Sequence, residues 1–274
     1  MNNLTLRVLS AVIMGIVAVS SLYFSYFTRW TLVSLLLTLG AWESTRMMQG
    51  KLKFTPPRFL VFLAPLFTFA FMLLQHPFIG GAQSLTSLLT GLSILVFTLV
   101  GFWFVPLEHI APWIISSTGI TLFFGLWVGS VFDLISQAPG LAGFSQLLFV
   151  ALAMVTADTG AYFSGKSLGK HKLCPQISPK KTIEGLMGGI LATLILGAFA
   201  GPALTGLSLL PSLFLGLLLS LTATMGDLLF SALKRYGGVK DSSQLIPGHG
   251  GVVDRFDSLF FSIPLAVLYL NLLN

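Results

Sequence analysis

Between Asp227 and Asp257 the chain carries four aspartates (Asp227, Asp241, Asp254, Asp257), four cations (Lys234, Arg235, Lys240, Arg255) and the turn P-G-H-G-G around His249. From Ser231 the block reads S-A-L-K-R-Y-G-G-V-K-D-S-S-Q-L-I-P-G-H-G-G-V-V-D-R-F-D, and strongly apolar segments flank it. A charge at the centre of a bilayer costs on the order of a few kcal/mol or more, so such a run marks a reaction site rather than a passive loop. Asp227, Ser231 and Lys234 stand at i, i+4 and i+7, which is one face of a continuing helix. Asp254 and Asp257 stand three apart at the start of the last apolar run, where negative charge favours a helix N-terminus. The plain reading of these two is as caps. Two facing helices that each bring a carboxylate to one place also make a site for a hard divalent cation, and Mg²⁺ often takes only one or two carboxylates. With no Cys cluster and no close His pair, zinc is disfavoured. Gly248, Gly250 and Gly251 permit φ > 0 and close backbone approach to an anion. Acids for a metal, glycines and several cations are the requirements of phosphoryl or nucleotidyl transfer. His249 would contact phosphate, act as an acid or make a structural hydrogen bond.

A second polar loop begins inside an apolar segment: T-A-D-T-G-A-Y-F-S-G-K-S-L-G-K-H-K-L-C-P-Q-I-S-P-K-K-T-I-E-G, from Thr156 to Gly185. Its acid, Asp158, needs a partner or a cation, or serves helix packing. Near its end, Pro179 is expected to fix a turn. Lys181 could reach a phosphate, and Thr182 would cap the next helix with Glu184 in its first turn. A basic flank that merely stops translocation is the alternative for this loop taken alone. The G-K-S in it is not a nucleotide-binding P-loop, because the required glycine spacing is absent and no strand precedes it.

The elements that must position these loops are helices in a membrane. The chain is 55% hydrophobic and 9% charged, against about 25% charged in soluble domains. Repeated apolar runs of about twenty residues predict an all-α, polytopic integral membrane protein of about nine transmembrane helices. The expected limits are 8–27, 30–45, 58–75, 85–105, 111–132, 141–163, 184–204, 208–230 and 256–273, and the first run is read as a retained span rather than a cleaved signal. Residues 1–140 then form a transmembrane scaffold and 141–274 the catalytic region of one membrane-embedded unit. With the N-terminus in the cytoplasm, every Lys and Arg except Arg29 falls on the cytoplasmic face, as the positive-inside rule requires. The net charge of +6 is thereby concentrated on a face that attracts anionic headgroups and nucleotides. Glu43 and Glu108 stand near cytoplasmic ends, and nothing in the sequence assigns them a function. The single Cys174 excludes an internal disulfide.

These residues resemble the phosphatidate cytidylyltransferase, or CDP-diacylglycerol synthase, family. Its pattern S-x-apolar-K-R-x4-K-D followed by P-x-H-G-G-x-x-D-R-x-D is matched by Ser231, Leu233, Lys234, Arg235, Lys240, Asp241, Pro247, His249, Gly250, Gly251, Asp254, Arg255 and Asp257. Its S-P-x-K-T element is matched by Ser178, Pro179, Lys181 and Thr182, and D-x-x-A-Y by Asp158 to Tyr162. The motif-bearing resemblance covers about residues 150–260; residues 1–140 are similar to the family in hydropathy alone. It implies an integral membrane enzyme, of the bacterial inner-membrane type, that joins CTP to phosphatidic acid on the cytoplasmic face. CDP-diacylglycerol and pyrophosphate are the implied products. It also implies a Mg²⁺ requirement with K⁺ as an assistant, a homodimer among membrane lipids, and no nucleic-acid partner. Within that reading Asp227 and Asp254 hold the metal and Asp257 supports them. Lys181, Lys234 and Arg255 offset phosphate charge, with His249 in the turn that approaches the phosphates. Ser178, Thr182, Ser231, Arg235, Lys240, Asp241, Gly250, Gly251 and Asp158 line the substrates.

Three other readings compete. A CTP-dependent polyprenol kinase of the dolichol type would release CDP rather than pyrophosphate, and the intact K-R-x4-K-D block argues against it. An ion-coupled transporter would repeat its polar residues in both halves of the chain at mid-depth, whereas here they crowd one face late in the sequence. A non-catalytic lipid-binding protein would not need the acid pair.

Overall fold

A computed structural model describes residues 9–10, 12–17, 20, 32, 35–36, 39–40, 42–44, 46–47, 141–248 and 250–273. Helices dominate: α1 (Leu141–Leu168), α2 (Ile183–Phe199), α3 (Gly201–Thr205), α4 (Leu209–Tyr236) and α5 (Val253–Leu273). Three stretches, Phe144–Leu168, Leu209–Tyr236 and Val253–Leu273, are long and apolar enough to cross a membrane. The shorter apolar helix α2 has 17 residues, a length of about 25 Å. The protein is therefore a mostly helical membrane protein. The expected spans 58–75, 85–105 and 111–132, and His249, lie outside the described residues.

The helices differ from the expected spans at their polar ends. α1 runs on to Leu168 and α4 to Tyr236, with Lys166, and Lys234 and Arg235, in their last turns. Cations there complement the negative end of the helix dipole, so the helices continue past their apolar stretches. The single span expected over 184–204 is two helices. The chain breaks at Ala200, and Pro202 sits in the first turn of α3, where its missing N–H costs nothing. Gly206, at φ 76°, closes α3 in the left-handed conformation.

The loop between α1 and α2 holds an antiparallel hairpin, β1 (Lys172–Cys174) and β2 (Ser178–Thr182), which periodicity did not predict. Pro179 lies within β2, not in the turn as expected; the turn falls at 175–177. Lys172 pairs with Thr182 and Cys174 with Ser178, so Pro179, Lys180 and Lys181 lie opposite Leu173 in an irregular register. Such a bulge tolerates a residue without an N–H.

The chain divides into two compact units, Ser130–Arg235 with Phe256–Asn274 and Met1–Gly129 with Tyr236–Arg255. In the first, small residues bring helices to backbone contact, the packing that membranes favour because lipid offers no hydrophobic drive between helices. A Cβ on Gly160 of α1 would stand 2.7 Å from Ala192 Cβ and from the Gly188 carbonyl, and one on Gly189 would stand 2.9 Å from the Ala157 carbonyl. Likewise a Cβ on Gly216 of α4 would lie 2.6 Å from the Thr193 carbonyl of α2. Phe149, Val150, Leu215, Leu219, Phe260 and Ile263 fill the interior. Val155, Met187, Leu191, Leu210 and Met225 point outward, as lipid-facing side chains do. In the second unit, Gly237 packs on the Met47 carbonyl, and Gly238, Gly248 and Gly250 take positive φ. These three positions require a left-handed backbone that glycine adopts without strain.

Candidate active site

In the first unit the two polar blocks of the sequence meet. Lys181 Nζ lies 2.6 Å from Asp227 Oδ2, and the Ser231 hydroxyl donates to Asp227 Oδ1 at 3.1 Å. The i, i+4 spacing of α4 thus does what the sequence predicted, and β2 supplies the cation from the other block. Arg235 Nε donates to the Ile177 carbonyl at 3.4 Å, so α4 grips the hairpin at two points. Both members of the ion pair are partly exposed, at 25% and 32% of their side-chain surface, which leaves them open to exchange with a ligand.

Thr182 holds the base of the hairpin. Its hydroxyl accepts from Gly185 N at 3.1 Å as the N-cap of α2, as expected. A Cβ on Gly165, Gly169 or Gly185 would stand 3.0 Å from that hydroxyl. Thr182 is buried, and its oxygen is engaged in fixing the strand that carries Lys181. Glu184, in the first turn of α2, accepts from Lys170 N at 3.1 Å and from His171 N at 3.2 Å, and lies 2.6 Å from His171 Nδ1. Ser178 opens β2 opposite Cys174.

Asp257 faces the same ensemble from α5. A Cβ on Gly226 would lie 2.5 Å from the Asp257 carbonyl, so glycine beside Asp227 is what lets α5 approach α4 here. Asp257 is buried; its Oδ1 accepts from Ser258 N at 2.7 Å and from the Ser258 hydroxyl at 3.3 Å. It lies within electrostatic reach of Asp227, Lys234 and Asp158. Three aspartates from α1, α4 and α5 and two lysines therefore share one neighbourhood.

The remaining residues belong to the second unit. Asp254 Oδ2 accepts from Ser242 N at 2.8 Å, the Ser242 hydroxyl at 3.0 Å and Gly251 N at 3.0 Å, which ties the loop to the start of α5. Gly250 has φ 85°, and a Cβ on it would stand 2.7 Å from Asp254 Oδ2. Lys240, Asp241 and Arg255 are exposed.

One carboxylate escaped the sequence reading. Glu43 is fully buried and accepts four hydrogen bonds: from Ser242 Oγ at 2.8 Å, Ser243 Oγ at 2.6 Å, Val252 N at 2.9 Å and Val253 N at 2.8 Å. The signal was available. An acid in an apolar span is a functional candidate by default, the rule that singled out Asp158 and Asp227.

Among the described residues no three His, Cys, Asp or Glu side chains gather into a metal cage. Mg²⁺ seldom uses one; it keeps water and substrate phosphates and takes one or two carboxylates. Partly exposed Asp227, paired with Lys181 and the Ser231 hydroxyl, offers carboxylate oxygen, the ligand type of that cation rather than of zinc.

A model of the cytidylyltransferase family matches residues 5–273. A phosphatidate cytidylyltransferase of Bacillus subtilis (strain 168) is 39% identical over 162 residues, 58% of this chain and 60% of the relative. One from Staphylococcus aureus (strain COL) is 44% identical over 140 residues, 50% of this chain and 52% of the relative. The uncharacterised protein YnbB of Escherichia coli (strain K12) is 40% identical over 158 residues, 55% of this chain and 53% of the relative. The chain thus spans between about half and three-fifths of the length of the curated relatives it matches.

Proposed function

The chain belongs to the cytidylyltransferase family, and on that premise we propose that it transfers CMP from CTP to phosphatidic acid, giving CDP-diacylglycerol and pyrophosphate. The observation that carries this reading is the 2.6 Å pair of Lys181 and Asp227, which, with the Ser231 hydroxyl on the same carboxylate, links the S-P-K-K-T block to S-A-L-K-R.

A phosphatidate oxygen attacks the α-phosphorus of CTP; the new P–O bond forms as the bond to the β-phosphate breaks, and pyrophosphate leaves with that electron pair. The nucleophile is already an anion, so no strong base is required. The obstacles are repulsion between two polyanions and their alignment. Lys181 is proposed to leave Asp227 for a phosphate when substrate binds, and Lys234 and Arg255 add positive charge, helped by Arg235 and Lys240. Asp227 and Asp254 are proposed as carboxylate ligands of Mg²⁺, which when bound would offset triphosphate charge, with K⁺ as an assistant. Asp257, buried on α5 beside Asp227, is proposed to support the cation's place. His249, Gly250 and Gly251 belong to the turn proposed near the phosphates. Ser178, Thr182, Ser231, Asp241 and Asp158 shape and hold the walls. Since one reactant is a lipid and the other a nucleotide of the cytoplasm, the site is proposed to open to the cytoplasmic face of a multi-pass, homodimeric protein.

The test is incubation of purified protein with labelled CTP and phosphatidic acid, with and without Mg²⁺. Liponucleotide and pyrophosphate are expected in equal amounts, and none after chelation. Release of CDP with a phosphorylated lipid would instead identify a CTP-dependent kinase.

A further inference from the structure

We propose that Glu43 is a positioning residue of the reaction site: it locks the loop over Ser242–Val253 and the first turn of α5, and thereby sets Asp254. This rests on the function proposed above, since Asp254 matters to catalysis only within that reading. Four observations meet here. Glu43 is completely buried, and a buried carboxylate persists only where several donors replace its water. Two of its donors are the hydroxyls of adjacent serines, Ser242 and Ser243. The other two are the backbone N–H groups of Val252 and Val253. Those N–H groups open α5 and have no intrahelical acceptor of their own, so a carboxylate at this end is favoured by both hydrogen bonding and the helix dipole. Finally, a Cβ on Gly251 would stand 2.5 Å from both Glu43 oxygens and would collide with the Ser242 hydroxyl.

The arrangement reassigns the second half of the G-G pair. The N–H of Gly251 is given to Asp254 and those of Val252 and Val253 to Glu43. These three groups serve two protein carboxylates, and Gly251 is glycine because the Glu43 carboxylate and the Ser242 hydroxyl crowd it. Ser242 connects the two acids: its hydroxyl lies 2.8 Å from Glu43 Oε2 and 3.0 Å from Asp254 Oδ2, and its N–H donates to Asp254. Glu43 therefore acts on Asp254 through one serine and one helix start, without touching substrate.

Glu43→Gln tests this, because it keeps the shape while replacing one accepting oxygen by a donor. Two readouts are taken on the full chain in detergent. Hydrogen exchange over 241–253 should rise by about tenfold or more while α1 and α2 keep the parent's protection. Liponucleotide formation should fall about 10- to 100-fold in kcat, the range for groups that orient reacting ones, with a smaller change in KM for phosphatidic acid. Ser243→Ala removes one of the four donors to Glu43, together with the acceptor of Leu245 N, and should reproduce a fraction of both effects; its combination with Glu43→Gln should be less than additive. Unchanged exchange over 241–253 overturns the proposal, as does faster exchange with full activity, or a uniform loss of protection across all helices. A parent protein with no transferase activity would sink the proposed function and leave the exchange comparison to decide what Glu43 holds.

Discussion

The protein holds two carboxylates in opposite ways. Asp227 is half-open, bound to one lysine and one hydroxyl, while Glu43 is sealed and bound to two hydroxyls and two backbone N–H groups. Lys181 and Ser231 both meet Asp227 through their side chains; around Glu43 half of the partners are backbone at the start of a helix. A partly hydrated ion pair is worth little to stability, because water and salt compete for both charges, and the same weakness makes it exchangeable. A phosphate can take Lys181 and a cation can take Asp227 at small cost. A buried carboxylate with four donors exchanges with nothing, since each released donor would remain unsatisfied. Chemistry is therefore expected at the first and scaffolding at the second.

The largest expected effect breaks the exchangeable side. Asp227→Asn should lower liponucleotide formation by about 10³-fold or more, since an electrostatic element at the reacting phosphates is lost, while the midpoint of thermal unfolding in detergent shifts little. Retained activity would remove Asp227 from the metal and from the reaction. Lys181→Ala should follow, at about 10²-fold in kcat/KM. The double variant should fall no further than Asp227→Asn alone, because residues that act as one unit are not additive. A double variant that lost the full product of both factors would mean that the pair works as two separate sites.

How far the sequence led depends on which physical signal each element carries. α4 and α5 were legible because long apolar runs and i, i+4 polar spacing are local, and the Asp227–Ser231 bond is a direct consequence of helical repeat. The Lys181–Asp227 contact was not legible from periodicity, since it joins residues in different elements; sequence reasoning assigned each a role at the phosphates, one as cation and one as metal ligand, without their geometry. The hairpin was missed because its strands have three and five residues, too few for alternation to register, and because Pro179 reads as a turn signal unless a bulge is known. Glu43 was missed for a different reason. Its partners lie some 200 positions away in sequence, and no local pattern states that distant serines and a helix start will surround it. Gly226 and Gly251 likewise look like loose turn or packing glycines until the carbonyl of Asp257 and the carboxylate of Glu43 are seen against them.

The smallest expected effect sharpens the contrast by separating fold from chemistry at Thr182, the residue that joins them. Its hydroxyl caps α2, and loss of an N-cap costs about 1 kcal/mol. Thr182→Ala should therefore lower stability by roughly that amount, and Thr182→Ser should restore it, since serine caps as well as threonine. Because the cap also holds the end of β2, activity should fall modestly in the alanine variant and recover with serine. If serine restores stability but not activity, the methyl group against Gly169 positions the strand, and the cap serves only the helix. If serine restores both, the hydroxyl alone carries Lys181 to Asp227, and the ion pair inherits its geometry from a single helix cap.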